Sequence, residues 1–340
     1  MQNTTGSTVV GTGSGDVTFN TISAVCWSVV APTSIVTNTF TLLVVHRTAS
    51  QQEDVNHIFI VAINFTILLV CLCFALPATI SAIAGGRWIL GGFLCTAQSL
   101  LMVYLHCVSA LWLFTYCLER FVFLLYPLRY PRLITVERIK RLAVGIIIIP
   151  LVNIPLTGFL SEWKGVYIPS CHVCAPYSEP VLNKALFLSF YVLLSVVPSV
   201  VGYIVHIALL LTVRQHLRRI VAGIPRSSSG VTQNGERTTN DRAATAADQR
   251  LQVAQFDRKI RVNKSHLILL TITAPFTIAV YLILDLSFFG YAIPKYLVLV
   301  GNISIFTAPT LIGLRAIFSS RVLKQNAQQL FPLNCRLGRQ

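Results

Sequence analysis

At 340 residues the chain has room for two soluble domains, but 54% of its residues are hydrophobic, only 11% are charged, and its mean hydropathy is +0.68. Soluble domains carry about 25% charged residues, so a soluble protein is excluded and a membrane protein is predicted. The net charge of +15 suggests nucleic acid or anionic lipid as a partner, and the placement of the charges decides between them. With the N-terminus outside, every Lys and Arg except Arg87, Lys164, Lys184 and Lys295 falls on the cytosolic side of the predicted spans, as the positive-inside rule requires. The excess reads as topology and attraction to membrane lipid, with no nucleic acid as a partner.

Residues 1–21 form a polar, disordered N-terminal tail on the outside, with one usable glycosylation sequon at Asn3. They hold no Lys or Arg and no apolar run, so they are not expected to be a cleavable signal peptide, and the first hydrophobic helix is expected to act as the targeting signal. Seven apolar stretches follow, at roughly 22–46, 56–84, 95–118, 142–160, 183–213, 265–290 and 296–318. The predicted fold is all-α: a seven-transmembrane helix bundle over 22–318, with a short amphipathic helix after helix 7. In the third stretch, Thr96 to Tyr116 carries no charge and is long enough to cross a hydrocarbon layer of about 30 Å. It ends in Glu119-Arg120-Phe121, an acid and a base side by side where apolar protein meets water. An unpaired Arg is expensive there, so the two are read as an ion pair.

Between the fifth and sixth stretches, 214–262 is rich in Arg, Ser, Thr, Asn and Gln and reads as a cytosolic loop, partly disordered. After the seventh, Phe318, Val322, Leu323, Leu330 and Phe331 make an apolar side beside Arg321 and Lys324. That pattern predicts an amphipathic helix on the inner membrane surface within 319–340, which also holds the C-terminal tail. Cys335 beyond it is a candidate for palmitoylation, or an ordinary cytosolic thiol. Cys71, Cys73, Cys107 and Cys117 lie in membrane stretches, where a thiol acts as a small hydrophobe. Cys95, Cys171 and Cys174 fall outside, in an oxidising compartment. Cys171-His-Val-Cys174 has the spacing of half a zinc site, but no second ligand pair follows, so no metal is expected.

Cys95, Arg120 twenty-five residues on, and Pro127 seven beyond it reproduce a set of intervals without a gap, and Trp88 and Gly91 precede Cys95 at a matching spacing. This arrangement resembles the third helix of the rhodopsin-like (class A) G-protein-coupled receptors. Asn38 in helix 1 and Pro198 in helix 5 match family positions as well. Pro-Leu-Arg-Tyr at 127–130 and Gly313-Leu314-Arg315 are similar to odorant-type members and favour an odorant-type or orphan branch. The chain also departs from the pattern. Helix 2 lacks the Asp that holds sodium with a Ser at the position of Ser109, leaving Asn64 or Thr66; Thr273 replaces the helix 6 Trp; His206 replaces the helix 5 Tyr; and Ala308-Pro309-Thr-Leu-Ile312 replaces Asn-Pro-x-x-Tyr.

The resemblance implies a multi-pass plasma-membrane receptor that binds a small-molecule ligand and activates a heterotrimeric G protein, with arrestin and a receptor kinase as further partners. It implies a disulfide from Cys95 to the second outer loop, at Cys174 or Cys171. It places a switch at Glu119, Arg120, Phe121 and Pro127, with Arg129, Arg132, Arg258, Lys259 and Arg261 as its basic rim. On helix 3, Ser99, Met102, Val103 and His106 share one face at helical spacing. The resemblance sets Phe190, Tyr191, Leu194, Phe276, Val280 and Asn302 opposite them as ligand-binding residues, although such a stripe is more often core than ligand wall. Amine receptors carry Asp at the position of Met102, and retinal proteins carry Lys at that of Asn302. An uncharged or weakly polar, odorant-like ligand is therefore implied, with no cofactor.

No enzyme is expected: the sequence shows no nucleophile with a base, no paired carboxylates and no phosphate-binding Gly loop. Two other readings stay open. A non-coupling seven-helix scaffold would need only the fold. A transporter or channel would call for intramembrane charges or broken helices, and the scarcity of acids in the apolar stretches argues against it.

Overall fold

The computed structural model describes residues 17–49, 55–126, 129–160, 163–177, 185, 189–223, 294–301 and 303. Among them, five helical stretches are long and apolar enough to cross a membrane: Val17–Arg47, His57–Ile83, Gly92–Leu125, Val136–Leu156 and Ser189–Thr212. The predicted stretch 265–290, the amphipathic helix within 319–340 and most of 296–318 lie outside the described residues.

The first span is α1 (Val17–Ala49), which starts five residues before the apolar stretch read from the sequence. The second is α2 (Val55–Val70) continued by α3 (Leu76–Ile83), with a wide π turn, Cys71–Ala75, between them. The third is α4 (Gly92–Leu125). A single-turn helix α5 (Tyr130–Leu133) leads into the fourth, α6 (Val136–Leu160), and a second π turn, Val192–Val196, opens the fifth, which continues as α7 (Val197–Gly223). The helical backbone of α7 thus runs ten residues past 213, into the stretch read as the start of the loop.

Both π turns stand just ahead of a proline. A proline has no N–H to return to the carbonyl four residues back, and its ring crowds that carbonyl. Pro77 and Pro198 each stand two residues after a π turn, and the helix absorbs the misfit by widening there. Elsewhere the hydroxyls keep to their own helix: Thr41, Thr66, Thr79, Ser109, Thr115 and Thr212 each donate to the carbonyl four residues earlier.

The all-α expectation needs one correction. Between α6 and the fifth span, β1 (Lys164–Ile168) and β2 (Val173–Tyr177) form an antiparallel hairpin in register from Lys164 opposite Tyr177 to Ile168 opposite Val173. Val166, Tyr167, Ile168 and Val173 favour extended backbone, and the Cys95–Cys174 disulfide, closing a separation of 79 residues, pins the hairpin to the first turn of α4.

Helix α4 is the hub, packing against α2, α6, α7 and both strands. Phe59 and Trp112 meet edge to face, with ring centroids 5.9 Å apart, in a cluster that joins α2, α4 and α6. A larger cluster joins α1, the second span, α4, the hairpin turn and residues 298–299. At the contact of α7 with α4, Gly202 stands where an added Cβ would lie 3.2 Å from the Phe114 Cα. On the far side of α6, Val144, Ile148, Leu151 and Val152 stay exposed, as a lipid-facing surface requires.

The hairpin meets α4 backbone to backbone. A Cβ on Gly165 would fall 2.6 Å from the carbonyl of Cys95 and from the Cα of Thr96. Gly165→Ala is expected to push the hairpin off α4 at a cost of about 1–3 kcal/mol, read as a lowered melting temperature of the purified protein. Gly145→Ala, whose Cβ would meet nothing within 4 Å, is the control and should leave it unchanged or slightly raised.

Candidate functional site

The third span carries chemistry at both ends. At the Arg120 end, Glu119 is 2% exposed. A carboxylate that deep requires partners, and α5 supplies one. Tyr130 Oη donates to Glu119 Oε1 at 2.6 Å. Arg120 Nε lies 2.9 Å from Glu119 Oε2, close enough for an ion pair but not aligned as a hydrogen bond. The Arg120 guanidinium also sits 5.0 Å from the centre of the Tyr116 ring, one turn back on the same helix. Tyr130 is placed by its own setting: its ring meets Phe123 edge to face, and Arg138 at the start of α6 donates to the carbonyls of Arg132 and Leu133, both at 2.9 Å. Phe121 packs beside Leu124 and Leu209, against α7. Pro127 lies outside the described residues.

At the disulfide end, the structure brings together four of the proposed ligand residues. Val103, with Cys107, packs on Ile154 and Tyr191, and Leu194 lies against them. His106 Nε2 is 3.4 Å from Tyr191 Oη, with the rings 5.6 Å apart and edge to face. The other described residues of the set go elsewhere. Ser99 donates to the Thr96 carbonyl of its own helix, Met102 packs with the cluster under the hairpin turn, and Phe190 is on the exposed side of its helix. Phe276, Val280 and Asn302, like Asn3 and Cys335, lie outside the described residues.

The bridge is Cys95–Cys174, so Cys174 is not available to a zinc ion, and Cys171 remains a free, buried thiol. Burial pushes the Cys171 thiol up to about 11, which keeps it protonated and unreactive at neutral pH. The hairpin turn is sunk into the bundle rather than lying over it. His172, in the left-handed backbone region with φ 56°, is fully enclosed, and its ring stacks on Phe19 of α1 at 5.5 Å. Phe19 in turn meets Tyr296 edge to face and lies 5.2 Å below the Lys295 ammonium.

A relay fixes the His172 tautomer. Ser81 donates to the Arg87 carbonyl at 3.1 Å, so the Tyr167 hydroxyl, 2.6 Å away, donates to Ser81, and His172 Nδ1–H, 3.3 Å from Tyr167 Oη, donates to Tyr167. Burial lowers the His172 pKa from its usual 6.5 to about 4.

Three residues central to these contacts escaped the sequence reading. Tyr130 had a signal in its place within Pro127-Leu128-Arg129-Tyr130. His172 and Gln98 had only the oddity of a polar side chain, one in a cysteine pair and one at the start of an apolar helix. Gln98, 4% exposed, donates through Nε2 to the Cys73 carbonyl at 3.0 Å and accepts from the Cys174 N–H at 2.8 Å.

The described groups that the family resemblance associates with sodium bond within their own helices. Asn64 Nδ2 donates to Ile60 O at 2.7 Å, and Thr66 and Ser109 likewise donate to their preceding turns.

With this geometry in place, the sequence profile of the 7 transmembrane receptor (rhodopsin family) matches residues 37–300. The chain belongs to that family, and it is a non-enzymatic, multi-pass membrane receptor. It is also similar to octopamine receptor beta-3R of Drosophila melanogaster, 26% identical over 157 residues. That match takes in 45% of this chain and 12% of the relative's length.

Tyr130→Phe removes a hydrogen bond to a buried charged group and is expected to cost about 1.5–3 kcal/mol, seen as a lower melting temperature and faster amide exchange across α5. The hairpin end should respond to acid. His172 is neutral in the folded state and its pKa is depressed, so its contribution is full above 6.5 and is lost as pH falls from there through about 4. A melting-temperature scan over that window should decline, and His172→Phe, which keeps a ring on Phe19, should remove part of the decline.

Proposed function

We propose that the chain is a plasma-membrane receptor with its N-terminus outside, binding a small, uncharged or weakly polar ligand beneath the hairpin and activating a heterotrimeric G protein at the Glu119-Arg120-Phe121 end. The observation that carries this reading is the hold on Glu119, buried between Arg120 and Tyr130. A charge held by two partners on one short segment is a two-state element. While the ion pair lasts, the helix end is closed; once it parts, Arg120 is free to turn toward an inserted helix of the G protein. Arg129 and Arg132 supply basic charge on this face for that partner, and in this reading Arg258, Lys259 and Arg261, which lie outside the described residues, add to it. Arrestin and a receptor kinase would use the same cytosolic face.

Support for the ligand class comes from what lines the other end. The relative is by name an octopamine receptor, and an amine of that kind is a cation needing a counter-charge. Here the helix 3 position at issue is Met102, and the acids among the described residues, Glu119 and Glu137, both belong to the Arg120 end. His106 and Tyr191 offer hydrogen bonds within an apolar wall of Val103, Cys107 and Leu194, which suits an apolar body with one polar group. The odorant-type reading rests on 127–130 and Gly313-Leu314-Arg315 alone. In the same reading 22–318 is the receptor domain, Asn3 carries a glycan and Cys335 a palmitoyl chain.

The test is G-protein activation in cells for the intact chain and for Arg120→Ala at matched surface expression, without ligand and against an odorant panel. A signal abolished by Arg120→Ala is expected. A signal that survives the substitution refutes the assigned switch, and silence of both chains with normal surface delivery favours the scaffold role.

A further inference from the structure

Two backbone groups near the disulfide end take a partner outside their own element. Pro77 cannot donate to the Cys73 carbonyl four residues before it, and that carbonyl lies within the π turn of the second span. On β2, the Cys174 N–H is turned toward α4 and bonds to a side chain there. One residue partners both. The Gln98 amide gives its N–H to Cys73 and its oxygen to Cys174, at 3.0 and 2.8 Å, from a site 4% exposed. In an apolar interior neither group has water as an alternative.

We propose that Gln98 is a positioning residue that couples the hairpin to the kink of the second span, so that a displacement of β2 is transmitted through one side-chain amide to the π turn. The amide group is rigid and planar. If β2 withdraws the Cys174 N–H, the Gln98 side chain follows or reorients, its donor leaves Cys73, and the π turn loses that bond. The hairpin and the kink are then one variable: whatever moves the first resets the second. Because the hairpin turn shares a cluster with Met102 and the second span, a molecule or an outside partner that lifts the turn changes the shape of the bundle two elements away. The proposal is independent of which ligand or G protein the receptor uses.

The test reads the Cys73 carbonyl directly. Cys73-Phe74 is the one Cys-Phe step in the sequence, so joint isotopic labelling of Cys carbonyls and Phe amides isolates that peptide group in an NMR spectrum of the full chain in lipid nanodiscs. In the wild-type background, Gly165→Ala, which displaces the hairpin, should shift the Cys73 resonance. Gln98→Met, of similar length but without hydrogen bonds, should shift it too, and adding Gly165→Ala to Gln98→Met should then produce no further change. Gln98→Leu likewise lacks both hydrogen bonds. It should shift the Cys73 signal as Gln98→Met does, and it serves if the Met variant does not fold. A Cys73 resonance that ignores Gln98 substitution, ignores Gly165→Ala in the wild type, or follows Gly165→Ala equally with and without Gln98, overturns the coupling.

Discussion

Hydrocarbon offers no partner to an N–H or a carbonyl, and the departures from straight helix in this bundle are settled under that constraint. Ahead of Pro77 and Pro198 the helix widens into a π turn, and at Cys73 a neighbouring helix supplies a hydrogen through Gln98. Thr66, Ser109 and Thr212 among the intramembrane hydroxyls are occupied by their own preceding turns, which takes them out of play as site groups. Against that background, the polar contacts that run between elements carry most of the information: Gln98 with two elements, His106 with Tyr191, and Glu119 with Tyr130.

The two ends of the third span solve different problems. At the disulfide end the difficulty is a loop turn placed inside a protein, where its backbone and His172 need partners away from water. A covalent tie, a strand register and a relay through Tyr167 and Ser81 meet it. At the other end the difficulty is a buried charge, and neutralisation by an adjacent cation with a phenol donor meets it. Both are local answers, joined by a helix whose middle is plain packing around Trp112 and Phe59.

Much of this was legible from residue intervals. The uncharged run from Thr96, the Glu119-Arg120 pair at its end and the spacing from Cys95 to Arg120 and Pro127 are one-dimensional facts, and a helix turns them directly into positions. What stayed hidden depends on direction. Cys171 and Cys174 are three residues apart, yet Cys174 on β2 bonds to Cys95 while Cys171, in the turn before the strand, is buried in the core. The hairpin itself was unreadable as such because its strands are five residues each, too short for alternation to stand out beside Gly165, Pro169 and Pro176. Gln98 was missed because an amide near a helix start has no periodic signature, and its worth arises from a proline twenty-one positions earlier in another helix.

The contacts around Glu119 differ from the disulfide in how far along the chain they reach. Tyr130 is eleven residues from Glu119, whereas Cys174 is 79 residues from Cys95. Short closures cost little entropy and are made early, and chains assemble from the N-terminal side as they are synthesised. The clasp on Glu119 can therefore form in the nascent chain once α5 has been made, before the fourth and fifth spans exist. The hairpin waits for another forty residues of synthesis and for an oxidant. A chain assembled in this order has its Glu119 contacts made before the hairpin end has taken shape.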